Sequence, residues 1–590
     1  MKRRYSPKPW QYLFIVVAWI ASVAWFHPRL AGLLDLADTT FAYSALLFFI
    51  LFTEVAWLYA FFNVSVIVFG TIYRWRHRPA KPTGELSANP PAVAILYTTA
   101  NDFVEASAAS CVRQDYPNYT VYILDDSSDP AFRAMVDAFA ERHRERVQVV
   151  RRADRRGFKA GNLNNGLTNV ATTEPYFALV DADEILPEDF LRRTVPTLEA
   201  DESIGFVQCN HRSNPESTSP LAKYMGVGID IHWRWYQPLR NRYGFVMLLG
   251  HGAVIRRECW QAAGGFPNLV SEDLAFALAV RKLGWRGYFE EDVVCFEDFP
   301  ETVRAFRVRH MKWTRGTCEF LQKEMRSMLR SKEISLVEKC DILFPTLNLP
   351  LSLFYFLFVV DANIVLASLF GRSQPLTVEL GSTALQLPAW RLDEAFGALN
   401  GVDFFAITML TLLAPILCFI IDLWRRPGTL FLFLCRSTAL YGALGPLSCL
   451  GVLFFLVTGK AIFHVTADRA NGQWRPAHVH AASIVPIGSL RDGVKRLLTN
   501  SHPDHLFVQG FEIICGVVFG VMCLKMVQVS FFGVAFGFIL LPLMHRVSWD
   551  HPLVRPLVFV PFVLVMAGVL MGAMALAGMQ SVLFGFGFHF

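Results

Sequence analysis

Long apolar stretches enclose one polar block along this chain. With their flanks, seven of these stretches are close to the roughly 20 residues that a helix needs to cross a hydrocarbon core about 30 Å thick. They are Gln11–Phe26, Tyr43–Gly70, Leu343–Phe370, Asp403–Leu423, Leu506–Met526, Phe531–Met544 and Pro556–Met579. The pattern predicts a membrane protein with about seven spans.

Basic residues at the ends of the stretches predict their orientation, because loops rich in Lys and Arg stay in the cytoplasm. Lys2, Arg3 and Arg4 place the N-terminus there, and Arg74 and Arg76 bring the chain back after the second stretch. The polar block is therefore expected in the cytoplasm. We expect the first stretch to stay as an uncleaved anchor rather than to act as a signal peptide.

Within the polar block, short apolar runs alternate with helical patterns such as those at Asp102–Val112 and Pro130–Arg144. The runs typical of strands are Ala92–Tyr97, Thr120–Leu124, Val147–Val150, Tyr176–Val180 and Gly205–Gln208. Strands that alternate with helices indicate a mostly parallel sheet covered on both faces. The sequence therefore predicts an α/β domain with a doubly wound sheet.

Composition narrows the class of protein further. Hydrophobic residues make up 53% of the 590 residues and charged residues 18%, against roughly 25% charged in soluble proteins. A net charge of +5 is too small at this length to predict a nucleic-acid partner. The eleven cysteines form no CxxC pair and no zinc spacing, so we expect no disulfide framework and a protein that mainly faces a reducing cytoplasm.

Acidic residues follow two of the predicted strands. Asp125 and Asp126 come after the second strand, and Asp181 and Asp183 after the fourth. A single Asp there is usually a turn or cap residue. Two acidic clusters at one edge of a parallel sheet, where ligands bind, would repel unless a cation neutralised them. They predict a site for a nucleoside diphosphate and Mg²⁺ or Mn²⁺, since Mg²⁺ combines carboxylates with substrate phosphates.

Six motifs then occur in the order and spacing of membrane-embedded, processive family-2 glycosyltransferases. They are Asp125-Asp126, Lys159-Ala160-Gly161-Asn162-Leu163-Asn164, Asp181-Ala182-Asp183, Phe206-Val207-Gln208, Ser271-Glu272-Asp273 and Arg309-His310-Met311-Lys312-Trp313. Over about Ala92–Thr466 the chain resembles this family, whose members include bacterial cellulose synthase and curdlan, chitin and hyaluronan synthases. The resemblance implies a GT-A type mixed sheet inserted between transmembrane helices, with further helices in the membrane interface.

For the donor side, the resemblance implies binding of a UDP-sugar. The implied nucleotide-binding residues are Thr98, Thr99, Asp125, Asp126 and Lys159. Asp181 and Asp183 match the metal-binding DxD motif of the family, which takes Mg²⁺ or Mn²⁺.

For the acceptor side, Asp273 matches the general base, with Glu272 beside it in the (T/S)ED motif. A helix predicted over Leu274–Leu283 also suits Asp273 as a mere N-cap. The residues that the resemblance implies for the acceptor and the diphosphate are Phe206, Gln208, His251, Arg309, Lys312 and Trp313.

Three departures from the family pattern concern these residues. Arg309 replaces the Gln of QxxRW, and Lys312 replaces the Arg, which keeps the charge but loses the bidentate fork. His251 stands within the segment that corresponds to the family's FCGS. Together they are closer to synthases of periplasmic glucans than to cellulose synthase.

A stretch near the C-terminal half, Thr429–Thr458, is also apolar, but it carries Arg436 and a Gly/Pro break. It precedes Phe463–Thr466, which resembles the family's FxVT gating loop, although Asp468 replaces the terminal Lys. We expect Phe463 and Thr466 to cover the cytoplasmic donor site. The stretch must then lie in the interface or re-enter, because a single crossing would place the loop outside.

These inferences divide the chain into six parts. They are 1–87 with two transmembrane helices, 88–300 with the cytoplasmic glycosyltransferase domain, 301–342 with amphipathic interfacial helices, 343–458 with transmembrane helices and the interfacial or re-entrant segment, 459–505 with the cytoplasmic gating loop, and 506–590 with the last transmembrane helices.

The resemblance implies an inverting, processive transfer of a sugar, with glucose preferred, from a UDP-sugar to a growing β-glucan that leaves through the membrane. Two alternatives within enzymes are a non-processive transferase acting on a lipid-linked acceptor and a synthase of another polymer, such as one containing N-acetylglucosamine. A transporter with a regulatory domain is a further alternative, but it would not need Asp273. The expected partners are the UDP-sugar, the nascent polysaccharide, the lipid bilayer of a bacterial inner membrane and a periplasmic export partner.

Overall fold

The computed structural model describes most of the chain. The described residues are 6–76, 86–373, 376–380, 383–387, 390–392, 394–399, 401–461, 502–526 and 528–576. Within them, a polar α/β domain lies between two sets of apolar helices, as the sequence predicts.

The domain is built on a seven-stranded mixed sheet. Its strands are β1 Val93–Thr99, β2 Tyr119–Asp125, β3 Val147–Val150, β4 Tyr176–Asp181, β5 Ile204–Ser213, β6 Ala253–Arg256 and β7 Arg286–Glu297. They are ordered β3-β2-β1-β4-β6-β5-β7. The first four run parallel to one another, and β6 runs antiparallel to both β4 and β5. The predicted GT-A type mixed sheet is confirmed.

Helices cover both faces of the sheet. They are α3 Glu105–Val112, α4 Pro130–Arg142, α5 Phe158–Asn169, α6 Phe190–Ala200, α7 Pro220–Met225, α8 Val227–Trp235, α9 Gln237–Tyr243, α10 Arg257–Ala263 and α11 Glu272–Lys282. Alternate strand residues enter two cores, with Leu96 and Phe177 on one side and Ile95 and Ala178 on the other. Because both faces are buried, the central strands read as continuous apolar runs.

Two of the seven strands have no counterpart in the sequence prediction. The antiparallel β6 is short and passes directly into α10 at Arg257, with no turn residue to mark its end. In β7 the acidic run Glu290, Glu291 and Asp292 interrupts the apolar residues. The prediction missed both for these reasons.

Beyond the sheet, α12 Val303–Arg330 and α13 Leu336–Asn348 link the domain to the apolar helices. The hydroxyl of Thr302 caps α12, and a capping box between Ser335 and Glu338 starts α13. The apolar face of α12 packs against the apolar helices Gly445–Thr458 and Val529–Arg546, and its other face borders the domain. An interfacial position of 301–342 in the membrane stays a prediction.

The apolar helices form the rest of the described chain. They are α1 Trp10–Ala31, α2 Thr40–Arg76, α14 Ser352–Val360, α15 Leu366–Phe370, α16 Val402–Leu413, α17 Leu417–Leu423, α18 Pro427–Leu440, α19 Gly445–Thr458, α20 Leu506–Met526, α21 Val529–Arg546 and α22 Val560–Leu576. The turn Asp361–Val365 between α14 and α15 is a π-helix. Four short strands, β8 Gly371–Ser373, β9 Leu376–Leu380, β10 Thr383–Leu387 and β11 Trp390–Leu392, pair as β9 with β10 and β8 with β11.

Seven helical segments in the described residues are long and apolar enough to cross a membrane. They are Trp10–Leu36, Thr40–Arg76, Ser352–Phe370, Val402–Leu423, Leu506–Met526, Val529–Arg546 and Arg555–Ala573. The helices α18 and α19 pass the same test only as a pair, bent by 41°. That bend fits a broken span or a re-entrant segment, so the predicted topology of Thr429–Thr458 stays a prediction. The third segment begins at Ser352 rather than at Leu343, because α13 ends before Pro350.

Candidate active site

The carboxyl ends of β1 and β4 bring the first candidate residues together. Thr98 and Asp181 are register partners on these strands. The Thr98 hydroxyl lies 3.2 Å from Asp181 Oδ1 and donates to it. Thr99 is buried and donates instead to Asp102 Oδ1 over 2.8 Å. The parallel pairing thus fixes one threonine on the DxD carboxylate and the other on the following loop.

The acidic pair at the end of β2 is neutralised by the chain itself. Arg151 Nε donates to Asp125 Oδ2 over 2.7 Å, and Arg152 binds Asp126 with two bonds of 3.0 and 2.7 Å. Asp125 also accepts the backbone N–H of Ser127. Two arginines therefore supply the positive charge that this acidic cluster needs. Nucleotide binding by Asp125 and Asp126 stays a prediction.

Lys159 joins the DxD turn to a loop before β6. It lies in the first turn of α5, and its ammonium binds Asp181 Oδ1 and donates to the carbonyl oxygen of Gly250 over 2.9 Å. Burial disfavours the charged ammonium, but the carboxylates of Asp181, Glu272 and Asp273 outweigh burial and raise the pKa of Lys159. Burial likewise opposes ionisation of Asp181, and Lys159 reverses this and lowers the pKa of that carboxyl. Lys159 is therefore a fixed positive charge at the strand ends.

Asp183 is the exposed carboxylate of the DxD motif. Its side chain is exposed within the cleft, and among the described residues it makes no hydrogen bond or ion pair. Desolvation by the cleft walls and the neighbouring charge of Asp181 raise its pKa to about 7. Two carboxylates on one turn, one of them without a partner of its own, form a donor set that fits Mg²⁺ or Mn²⁺.

The predicted base lies across the cleft, in the first turn of α11. Ser271 occupies the N-cap position, so Asp273 is not the N-cap. Asp273 Oδ1 accepts the Leu274 N–H over 2.7 Å. A Cβ on Gly250, whose φ is +86°, would lie 3.2 Å from Asp273 Oδ2 and 3.6 Å from Lys159 Nζ. Glycine at 250 thus lets the loop pass between the two charged groups.

Glu272 and Asp273 form a coupled acidic pair. Burial, and then the charge of Asp273, raise the pKa of Glu272 to about 8. Burial also raises the pKa of Asp273, against the opposing effects of the Leu274 N–H and Lys159. With a pKa of about 8, Glu272 keeps its proton near neutral pH.

His251 lies between two carboxylates behind the DxD turn. Its Nδ1 is 3.4 Å from Glu184 Oε1, and its Nε2 is 3.7 Å from Glu297 Oε2. Burial opposes protonation of the ring, but Glu184, Glu297 and Asp181 raise the pKa of His251 to about 10. The protein thus holds an imidazolium beside the predicted metal ligands.

Two predicted acceptor residues are buried and have another role. Phe206 is 1% exposed, and its ring fills the space beside Gly287 in the sheet core. Gln208 is 0% exposed; it accepts the Leu249 N–H over 2.8 Å and donates to the carbonyl of His251 over 2.9 Å. Both side chains are closed off from solvent, and the predicted contact of Phe206 and Gln208 with a sugar stays a prediction. Gln208 supports the 249–252 loop.

The RxxKW residues lie on α12 and face the cleft from the membrane side. Trp313 is 49% exposed, and the Arg309 guanidinium carbon lies 4.7 Å from the centre of its ring and 4.8 Å from that of Phe299. Lys312 is within electrostatic reach of Glu272 and Asp181, although burial lowers the pKa of its ammonium. An open aromatic ring and two cations therefore border the site.

Phe463 and Thr466 lie outside the described residues, as does the rest of 462–501. Their gating role stays a prediction. Sequence reasoning missed several residues that hold the site together, namely Arg151, Arg152, Glu184, His211, Trp233 and Glu297. Of these, only Arg151, Arg152 and Glu184 could have been found from the sequence. The two arginines directly follow the third predicted strand, and Glu184 directly follows the DxD motif.

Comparison with known proteins identifies the polar domain. Residues 90–316 match the model of the family described as "Glycosyltransferase like family 2". This segment is similar to family-2 glycosyltransferases. It includes the candidate residues from Thr98 to Trp313, but not Phe463 and Thr466.

Matches to individual curated proteins have low sequence identity. The chain is 26% identical over 276 residues to glucomannan 4-beta-mannosyltransferase 1 of Oryza sativa subsp. japonica, covering 46% of this chain and 51% of the relative. It is 25% identical over 328 residues to glucomannan 4-beta-mannosyltransferase 2 of Arabidopsis thaliana, covering 54% and 60%. The chain thus spans about half the length of the curated relatives that it matches. The finer resemblance to cellulose and curdlan synthases stays a prediction.

Among solved structures, the chain is similar to mannosyltransferase PcManGT from Pyrobaculum calidifontis in complex with GDP-Man and Mn²⁺. The TM-score is 0.39 at 20% identity, covering 63% of this chain and 99% of that one.

Proposed function

We propose that the protein is an inverting glycosyltransferase that extends a β-linked polysaccharide from a nucleoside-diphosphate sugar and passes it across the membrane. The observation that carries this proposal is the convergence of Lys159, Asp181, Asp183 and Asp273 in one cleft. They come from three elements far apart in sequence, and each supplies a charge that sugar transfer from a diphosphate needs.

Asp273 acts as the general base. It accepts the proton of the attacking acceptor hydroxyl while the oxygen forms a bond to the anomeric carbon on the face opposite the leaving group. The bond from this carbon to the diphosphate breaks, so the anomeric configuration inverts. Glu272 keeps its own proton near neutral pH, so it does not compete with Asp273 as the base.

Positively charged side chains also neutralise the departing diphosphate. Lys159 and Lys312 bring positive charge to the side of the cleft where Asp181 lies. A divalent cation held by Asp181 and Asp183 supplies additional neutralisation of the leaving group when it is bound. Thr98 keeps Asp181 oriented through its hydroxyl.

Features of the acceptor side support a polymer rather than a single transfer. Trp313 offers half of its ring surface at the membrane side of the cleft, which suits the apolar face of a sugar ring. In the third apolar segment, the π-helical turn buries Asp361 and Asn363. Intramembrane polar groups usually line a pathway, and π-helical turns are frequent at functional sites.

Two observations bear on the identity of the donor. The sequence resemblance favours UDP-glucose, whereas the names of the curated relatives refer to mannosyl transfer onto glucomannan. We place UDP-glucose first because Arg309, Lys312 and His251 follow the pattern of glucan synthases. The nascent polysaccharide, the bilayer and a periplasmic export partner complete the proposed set of partners, in a bacterial inner membrane.

The test is transfer by the purified, reconstituted protein with one labelled donor at a time: UDP-glucose, UDP-N-acetylglucosamine, UDP-glucuronate or GDP-mannose, each with Mg²⁺ or Mn²⁺. Linkage-specific glucanases and mannanases then digest the product. The proposal predicts a labelled β-linked polymer from one donor. A single sugar on a lipid would contradict polymer synthesis, and no transfer from any donor would contradict the enzyme.

A further inference from the structure

Glu184 follows the DxD motif directly and is completely buried. Its Oε1 accepts from His211 Nε2 over 2.8 Å and lies 3.4 Å from His251 Nδ1. Its Oε2 accepts the backbone N–H of Gly252 over 3.0 Å and that of Asp181 over 3.4 Å. One carboxylate therefore joins the turn of the predicted metal ligands to the 249–252 loop.

His211 completes this arrangement from β5. It is 0% exposed, and its Nδ1 lies 3.2 Å from the carbonyl oxygen of Cys209. The ring packs 4.2 Å from the ring of Trp233 and 4.5 Å from that of His251. Trp233 Nε1 in turn donates to Glu297 Oε1 over 2.9 Å. The ring of His251 is thus held between Glu184 and Glu297, and both carboxylates have further partners.

A buried carboxylate is costly unless its oxygens are hydrogen-bonded, and a satisfied polar network is rigid. The two segments that Glu184 joins also meet at Lys159, which binds Asp181 and the carbonyl of Gly250. A small change at Glu184 would therefore shift the DxD turn relative to the loop that passes beside Asp273. Misplacement by about 1 Å can lower a catalysed rate about 10²-fold.

We propose that Glu184 and His211 are positioning residues for sugar transfer: together they hold His251 and the 249–252 loop in register with the Asp181–Asp183 turn. This inference rests on the proposed function. Neither residue touches the donor or the acceptor in this arrangement, and both act through the backbone and through His251.

Gly252 provides a second way to disturb the same contact. Its φ is +55°, and a Cβ there would lie 2.4 Å from His211 Nε2 and 2.5 Å from Glu184 Oε1. Gly252→Ala must therefore separate the loop from the pair while leaving both side chains chemically intact.

Cys295 offers a matched control. Its thiol is equally buried and lies within 4.8 Å of the Glu184 and His211 ligand atoms, close enough for the Glu184 carboxylate to help raise the pKa of Cys295. Within the described residues, however, the thiol forms no hydrogen bond with the 249–252 loop. The three residues together have the ligand types of a buried metal site. The network favours a metal-free arrangement, because the carboxylate oxygens already accept from His211 and from two backbone N–H groups.

The experiment compares Glu184→Gln, Gly252→Ala and Cys295→Ala in the full-length reconstituted protein. The readouts are kcat, donor KM, the melting temperature and UDP affinity without metal. We expect kcat to fall about 10- to 100-fold in the first two variants. Their donor KM and metal-free UDP affinity should change by less than about threefold, and Cys295→Ala should keep the parent kcat.

Parent-like kcat in Glu184→Gln would overturn the inference. So would an equal loss in Cys295→Ala, which would indicate a buried metal or general packing instead. If Glu184→Gln does not fold, Gly252→Ala decides by the same criteria. A parent protein that transfers no sugar from any donor contradicts the proposed function, whereas a working parent with indifferent variants contradicts this inference alone.

Discussion

Arg307 on α12 and Glu512 on α20 form an ion pair that is buried on both sides. Arg307 Nη1 also lies 2.7 Å from His545 Nδ1 on α21. The pair therefore ties the helix that presents Trp313 to two of the C-terminal apolar helices. Arg307 follows a regular helical pattern in the sequence, and nothing in that pattern indicates a partner some 200 residues away.

Breaking this pair should destabilise the protein. Glu512→Ala leaves a buried guanidinium without its main partner, and such losses cost about 3–5 kcal/mol. We expect a lower melting temperature in detergent for Glu512→Ala and for Arg307→Ala. The double variant Arg307→Met/Glu512→Leu should recover most of the stability, because apolar pairs of similar volume often replace buried ion pairs without loss.

Arg330→Met on the exposed end of α12 serves as the control and should leave the melting temperature unchanged. Equal melting temperatures for the parent and Glu512→Ala would show that the pair does not stabilise the fold.

Asp183→Ala should abolish sugar transfer and the metal dependence of UDP binding. Asp183 is the DxD carboxylate with no hydrogen bond or ion pair in the described chain, so it is the one most available to a cation. UDP titration with and without EDTA measures the effect, and Glu188→Ala, an exposed acid nearby, should behave as the parent. Undiminished transfer by Asp183→Ala in EDTA would remove Asp183 from the metal site.

Asp273→Asn should preserve UDP binding but slow sugar transfer. The amide is nearly isosteric and still accepts the Leu274 N–H, but it cannot take the acceptor proton. Loss of a general base typically lowers the rate about 10²–10⁴-fold. Single-turnover transfer should fall by this amount with UDP affinity preserved, and Glu258→Gln, an exposed acid in the first turn of α10, should have no effect. Transfer close to the parent rate would assign the base elsewhere.

Glu272 should give donor binding a pH dependence near pH 8. Its carboxyl, with a pKa of about 8, is neutral below this pH and gains a negative charge above it. The added charge beside Lys159 and the donor diphosphate should raise the donor KM as pH increases from 7 to 9. Glu272→Gln cannot ionise, so its KM should stay flat over this range. The same rise in KM in both proteins would exclude Glu272 as its origin.

Cysteine labelling in intact cells tests the topology. Gln386→Cys, on β10, should react with an impermeant reagent, whereas Arg425→Cys and His480→Cys should react only after permeabilisation. The background should be low, because ten of the eleven native cysteines are buried and Cys340 is partly buried. Labelling of position 480 in intact cells would place Thr429–Thr458 across the membrane and contradict the gating role of Phe463 and Thr466.

Local patterns in the sequence were sufficient to predict several features of the fold and of the candidate site. Five apolar runs of the polar block predicted β1 to β5, because strands buried on both faces need such runs. The apolar stretches predicted the membrane-capable helices, since a span needs both length and hydropathy. Asp181 and Asp183 were singled out by their spacing after a strand, whereas Lys159 and Asp273 were singled out by the resemblance to family motifs.

Only the tertiary structure decided which groups meet. The sequence did not indicate that Arg151 and Arg152 neutralise Asp125 and Asp126. Nor did it indicate that Gln208 is completely buried and holds the 249–252 loop. Glu184 and His211 lie 27 residues apart and gave no paired signal, yet they form a buried hydrogen bond. A local pattern in the sequence reflects burial and turn preference. The contacts named above instead depend on which strands lie side by side in the sheet.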